Sequence, residues 1–255
     1  MLIKADFRNV ADYLAGLGFL EVASWHWNDL CARWTDTGID IEPIDETSFG
    51  STIQGCCGAR VELDVSACKN AHDPPKESPL LLTIAERTIP LNAWLDRLLH
   101  YKSIWSPGVS GQVTTWMIVE DILQRMRLLR SRATPELIFS VGLAINDCAQ
   151  FRFDGSTAWT TLDTGFSPND AGIKIAARPF VEFFAIIGAQ CFFPQATGTK
   201  RCDPEYCVWD RYLPVSLCRL AARGTVPVHP RHMRSKWLDA GNFGAFSFAD
   251  ESYRR

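Results

Sequence analysis

Two Asp-Thr-Gly triplets stand in this chain, Asp36-Thr37-Gly38 in "RWTDTGIDIE" and Asp163-Thr164-Gly165 in "TTLDTGFSPND". A two-lobed aspartyl protease needs such a pair: two carboxylates close enough to share one proton, each on a loop that follows an apolar strand. The second triplet fits that setting in part. The first does not, because Arg33, Trp34 and Thr35 precede its aspartate. A hydrolase using Asp36 and Asp163 remains the minor alternative. Cys202, Cys207, His229 and His232 are zinc-ligand types, but their spacing departs from standard zinc sites. The chain has no Gly-x-Ser-x-Gly elbow and no phosphate-cradling loop of the Walker or dinucleotide kind. The expectation is therefore no catalytic residue, no metal and no cofactor.

Aromatic and basic loops carry a different chemistry. In "HYKSIWSPGVSGQ", Lys102 and Trp105 stand beside Ser106, Gly108, Ser110 and Gly111, small residues whose backbone N–H groups can approach phosphates. Trp105 could stack on a base and Gln112 hydrogen-bond to one, although a tryptophan between two helices also serves as a core plug. Residues 219–238 hold Arg219, Arg223, Arg231, Arg234 and Lys236 with two histidines and no acid. They read either as a basic patch for a polyanion or as a solvated surface. The formal net charge of −3 hides an asymmetry in the same direction. Residues 1–98 carry 8 Lys and Arg against 15 Asp and Glu, and residues 99–255 carry 18 against 14.

The elements that must position these groups are legible as a mixed pattern. A strand at 2–7 leads to a helix capped by Asn9, with Val10, Tyr13, Leu14, Leu17 and Leu20 on its apolar side. "DIEPI", "RVELDVS", "PLLLTIAE", "LIFSVGLAI" and "FRFDG" read as strands, and "PLNAWLDRLLHYK" as a helix. "VTTWMIVEDILQRMRLLRSR" is a second helix that should bury Trp116, Val119, Leu123 and Met126. Its crowded arginines complement its own C-terminal dipole. "PFVEFFAIIGAQCFFP" reads as a helix ending at Gly188, followed by a strand. "DYLAGLG" (12–18) and "EFFAIIG" (182–188) match by residue class at six of seven positions, a hint of two similar halves. The expected class is α+β, antiparallel sheets with packed helices, with two ferredoxin-like halves as one arrangement of the pattern. The segments are 1–98 (α+β), 99–135 (helical, with the basic and aromatic loop) and 136–255 (α+β).

At 255 residues and 47% hydrophobic, the chain can bury a sizeable core. The N-terminus lacks the charged-then-apolar layout of a secretory signal, and no apolar stretch reaches a membrane span. Nine cysteines, an odd number, fit reduced thiols better than a disulfide framework. A cytoplasmic protein with no membrane contact is expected.

Three stretches together resemble a known family. "NVADYLAGLGFLEVASWHW", "IPLNAWLDRLLHYKSIWSPGVSGQ" and "TTLDTGFSPNDAGIKIAARPFVEFFAIIGAQCFFP" follow one another between residues 9 and 194. They are similar to the opening, central and Leu-Asp-x-Gly-Phe-Ser-Pro blocks of the type I-G (formerly I-U) CRISPR protein that is the large-subunit counterpart of that subtype's Cascade complex. Val10 stands where the family has proline, and the "SIWSPGVSGQ" loop is longer than the family's. The resemblance implies a non-catalytic subunit of an RNA-guided antiviral surveillance complex, a ribonucleoprotein. Its partners would be CRISPR RNA, target double-stranded DNA, the other Cascade subunits and a recruited helicase-nuclease. It would help recognise the motif flanking the target (PAM recognition) while base pairing reads the sequence. The nucleic-acid-binding residues it points to are Lys102, Trp105, Ser110 and Gln112, then Lys174 and Arg178 beside the Phe-Ser-Pro loop, then Arg231, Arg234 and Lys236. The alternative within the same machinery is a subunit that docks protein rather than DNA.

Overall fold

A computed structural model describes residues 1–67, 78–92, 113–145, 151, 153–154, 175–192, 195–197, 203–226, 230–240 and 243–252. At its centre lie two helices with almost no polar face. All fourteen residues of α1 (Val10–Ala23) are buried, and so are most of α4 (Pro179–Phe192). A helix that is apolar all round has to be enclosed on every side. α1 starts where the sequence predicts, with the Asn9 side chain accepting from the Ala11 N–H at 3.1 Å. α4 runs through Gly188 to Phe192 rather than stopping at the glycine. Gly188 is there for approach, not termination. A Cβ on Gly18 would lie 2.7 Å from the carbonyl carbon of Phe184, and one on Gly188 would lie 2.8 Å from that of Leu14. Leu14 and Phe184 each stand four residues before their own glycine, so the crossing is reciprocal, with the two backbones in contact.

Antiparallel sheets wrap this pair, in keeping with the α+β class. The first sheet has the order β1-β3-β2-β11, from Leu2–Lys4, Gly38–Glu42, Cys31–Thr35 and Leu213–Pro214. The second has the order β15-β12-β10-β9, from Asp250–Glu251, Arg231–Arg234, Asp203–Val208 and Gln195–Thr197. α1 joins them through an aromatic stack: Tyr13 lies 5.2 Å from Trp34 on one side and 4.2 Å from Tyr206 on the other. The Tyr13 hydroxyl donates to the Cys207 carbonyl, and the Tyr206 hydroxyl to that of Phe7, so neither buried phenol is left unpaired. Residues from both ends of the chain thus share one core.

A third sheet, β4-β5-β6 (Arg60–Leu63, Leu80–Ile84 and Arg87–Leu91), follows α2 (Glu46–Cys57). "RVELDVS" is a strand only as far as Leu63, and Val65–Ala67 form a 3-10 turn. The strand expected across "LIFSVGLAI" is confined to β7 (Leu143–Ile145), paired with β8 (Ile175–Ala177). Before it, helical-type bonds such as Ile138 N–H to Thr134 O at 2.8 Å fold the chain into turns. The remaining described elements are helix α5 (Val215–Ala222) and the hairpin β13-β14 (Trp237–Ala240 and Phe243–Phe246). The helix expected at "PLNAWLDRLLHYK" lies outside the described residues. The described cysteines are thiols, and no helix among the described residues is long and apolar enough to cross a membrane.

α3 (Thr115–Leu129) departs from expectation at two points. Val119, Leu123 and Met126 are buried, but Trp116 is 40% exposed. The inward arc is centred near Thr115, and one residue further on is about 100° round the helix. Trp116 therefore sits at the margin, with its indole N–H donating to the Val61 carbonyl at 3.3 Å. Arg127 does not serve α3's own terminus. Its Nε donates to Cys57 O and its Nη2 to Ala59 O, each at 3.0 Å, satisfying carbonyls at the end of α2. Arg127→Ala should cost about 2 kcal/mol, the worth of hydrogen bonds from a charged donor. The check is a lower denaturant midpoint with an unchanged m-value.

Candidate nucleic-acid interface

The sequence-predicted contact residues meet three different fates. Lys102, Trp105, Ser110, Gln112 and Lys174 lie outside the described residues, as does Asp163. Lys236 is exposed beyond β12, its backbone N–H donating to the Ser247 hydroxyl at 3.0 Å. Arg231 and Arg234 both belong to β12 but are three residues apart, and side chains alternate along a strand. They consequently project from opposite faces. The guanidinium of Arg231 lies 4.6 Å from the Phe7 ring centre and its Nη1 is 3.4 Å from Asp36 Oδ1. Arg234 turns to β10, where Asp203 and Glu205 stand 3.3 and 3.7 Å away. The basic run of 219–238 is thus divided, and Arg219 is bound by Glu21 at 2.6 Å.

Arg178 is mostly buried, its side chain 16% exposed. It precedes α4, and its Nη1 and Nη2 approach Asp12 at 2.8 Å and Asp154 at 2.6 Å. Nη1 also donates to the Phe139 carbonyl at 2.8 Å. The second oxygen of Asp154 accepts from the Asn9 side chain at 2.8 Å. A guanidinium that answers two buried carboxylates and a carbonyl has no fork left for a phosphate.

Two shallow grooves, of about 470 and 390 Å³, share Asp36 and Arg231 in their walls. Phe7, Met233 and Ala249 give the first an apolar lining, flanked by Asp6, Arg8, Asp250 and Glu251. Arg33, Trp34, Thr35, Val208 and Asp210 line the second. Five carboxylates against three arginines make this face unfavourable for a polyanion.

No family model, curated protein or solved structure matches this chain. The reading of the site therefore rests on its own residues.

Asp36 is 90% exposed in the turn between β2 and β3, tied only loosely to Arg231. That is not the water-poor shared site an aspartyl dyad requires. The triplet has a local structural purpose: the Thr35 hydroxyl donates to Gly38 O at 3.1 Å, and Gly38 lies so close to β1 that an added Cβ would be 2.9 Å from the Ile3 carbonyl carbon. Of the metal-ligand types, the β10–β12 register pairs Cys207 with His232, sulfur to Nδ1 at 3.2 Å. Cys202 and His229 lie outside the described residues. Among the described residues no group of three His, Cys, Asp or Glu side chains is arranged to hold a metal ion.

Sequence reasoning missed Arg33. Its guanidinium lies 4.5 Å from the Tyr212 ring centre and 3.2 Å from Asp40, which also accepts the Tyr212 hydroxyl at 2.5 Å. The hydrogen bond to Asp40 pushes Tyr212 up to about 12. Burial pushes Asp40 upward, but the bonds from Tyr212 and Arg33 hold it below the ordinary carboxylate value. Alternation in "CARWT" signals that Arg33 faces away from Trp34, but Tyr212 arrives from far along the chain.

Proposed function

We propose that this chain is a non-catalytic subunit of a type I CRISPR RNA-guided surveillance complex, contributing to recognition of the target-flanking motif and to binding of target DNA. The observation that carries the reading is where the resembling residues fall. Two of the three similar stretches contain α1 and α4, and their shared glycines, Gly18 and Gly188, are those at which the two backbones touch. A resemblance concentrated at positions that sterics fix is support for a common core. On the same ground we take the two helix-centred halves as related units of ferredoxin-like descent, supported by the reciprocal crossing. The contacts to DNA then belong to Lys102, Trp105, Ser110, Gln112 and Lys174, with Lys236 and, more weakly, Arg231 and Arg234. Arg178 acts through the fold.

The second reading, a subunit that docks protein, is favoured by one observation: the grooves around Asp36 and Arg231 carry more acid than base. Salt dependence separates the two. Each phosphate contact releases counterions and adds about 0.9 to the slope of log affinity against log salt on duplex DNA. The assembled complex, reconstituted with guide RNA, is titrated with flank-variant duplexes. Neutralising Lys102, Lys174 and Lys236 together should reduce that slope by about 2 to 3 and weaken all sequences alike. An unchanged slope, with assembly lost instead, would leave the docking reading.

A further inference from the structure

Three carboxylates and one guanidinium meet where the N-terminal ends of α1 and α4 converge. Asp12, Asp154 and Glu182 are each under a tenth exposed, and Arg178 is the cation that faces them among the described residues. Arg178 reaches Asp12 and Asp154, while Asp12 also accepts the Asp6 backbone N–H at 3.2 Å. Glu182 takes a different part. Its Oε2 accepts the backbone N–H of Phe151 at 2.8 Å, and its Oε1 is buried with no hydrogen-bond partner. Phe151 is thus held by Glu182, and Asp154 by Arg178 and Asn9.

With all three acids ionised the site would carry two uncompensated negative charges out of water, which costs several kcal/mol per ion. A proton is the simplest compensation; Asp12 Oδ1 and Glu182 Oε1 both lack a hydrogen bond, but Asp12 Oδ1 has Arg178 Nη1 at 2.8 Å, so Glu182 is where the proton fits. We propose that the cluster is a proton-dependent clasp: while Glu182 is protonated, Phe151 and Asp154 stay seated on the ends of α1 and α4, and deprotonation loosens them.

The direction follows from linkage. Burial, with Asp154 adding to it, pushes Glu182 up to about 8 against the opposing pull of the Phe151 N–H, Arg178 and the Phe153 N–H. Burial also pushes Asp12 up to about 6, with Arg178 opposing. When Phe151 and Asp154 unseat, water reaches Glu182 and its carboxyl returns towards the ordinary value. The seated state therefore binds the proton more tightly. The stabilisation it gives is complete in acid and is lost as pH rises towards 8. Between about 6 and 8 Glu182 dominates the change, because Asp12 has already titrated. The clasp concerns the fold and stands whether or not the chain binds DNA.

The test is amide hydrogen exchange on the full chain from pH 5 to 9, each rate normalised to that of an unstructured peptide at the same pH. Protection at the Phe151 amide should fall by up to about tenfold per pH unit as one proton is released, then level off above 8. Glu182→Gln keeps the shape and an acceptor for Phe151 but cannot ionise, so its protection should be independent of pH between 6 and 8. Flat protection in the wild type, or the same slope in E182Q, overturns the proposal. Should E182Q not fold, infrared spectroscopy of the wild type decides. A buried protonated carboxyl present at neutral pH and titrating near 8 supports the clasp, and its absence at neutral pH rejects it.

Discussion

Gly18→Ala and Gly188→Ala are each expected to destabilise the protein by about 3 kcal/mol or more, at the upper end of what overpacking costs. The magnitude follows from what the new methyl group would meet. At both positions the obstacle is the backbone of the facing helix, the Phe184 carbonyl for one and the Leu14 carbonyl for the other. A side chain can change rotamer, but a carbonyl inside a hydrogen-bonded helix cannot move without carrying the helix with it. α1 and α4 would have to separate, and separation opens space in a core that includes Phe19, Phe183 and Phe184. Gly16 provides the comparison, because its added Cβ would lie 2.9 Å from the end of the Trp34 ring, a side chain rather than the backbone of a facing helix. Gly16→Ala should cost less. Gly50, inside α2 with open space where its Cβ would be, should gain about 0.5 to 1 kcal/mol as alanine. Equilibrium denaturation of the four variants checks the order. Equal costs at 16, 18 and 50 would remove the backbone contact as the explanation.

That crossing also explains how much of the molecule was legible beforehand. The seven-residue likeness between 12–18 and 182–188 was visible as a pattern of residue classes, and the Asn9 cap and the start of α1 followed from local rules. What the pattern could not supply was the meaning of Gly188. Within one helix a glycine reads as a terminator, and only a partner helix reveals it as a point of close approach. Arg127 misled for a similar reason: its position in α3 suggested service to its own dipole, while its targets, Cys57 and Ala59, lie far back in the chain. Strand periodicity carried more information about the basic run at 219–238 than its composition did. Once β12 is known to span Arg231–Arg234, alternation alone sends those two arginines to opposite faces. The acids that answer them, Asp36, Asp203 and Glu205, come from elsewhere in the chain, and no local window contains them.

Arg178 separates a surface role from an interior one, because the two make opposite demands on the same substitution. If its guanidinium contacted phosphate, Arg178→Ala would leave the fold intact and lower the salt slope of DNA binding by about 0.9. Its position between Asp12 and Asp154 gives a different expectation, a loss of about 3 to 5 kcal/mol in stability at pH 7, because two buried carboxylates lose their cation. Arg178→Lys should recover only part of this. One ammonium cannot reproduce a fork that reaches both carboxylates and the Phe139 carbonyl. Acid should relieve the alanine variant more than the wild type. Burial has already pushed Asp12 up to about 6, and without Arg178 the opposing pull is gone, so the carboxyl takes a proton at still higher pH and sheds the charge that has no partner. Unfolding free energies of wild type, R178A and R178K at pH 5 and pH 7 test this directly. A deficit in R178A that is the same at both pH values would sever the link to Asp12, and a variant as stable as wild type would return Arg178 to the surface. The expected result is a deficit that is largest at neutral pH, halfway repaired by lysine and shrinking in acid, the behaviour of a cation whose work is to hold the ends of α1 and α4 together.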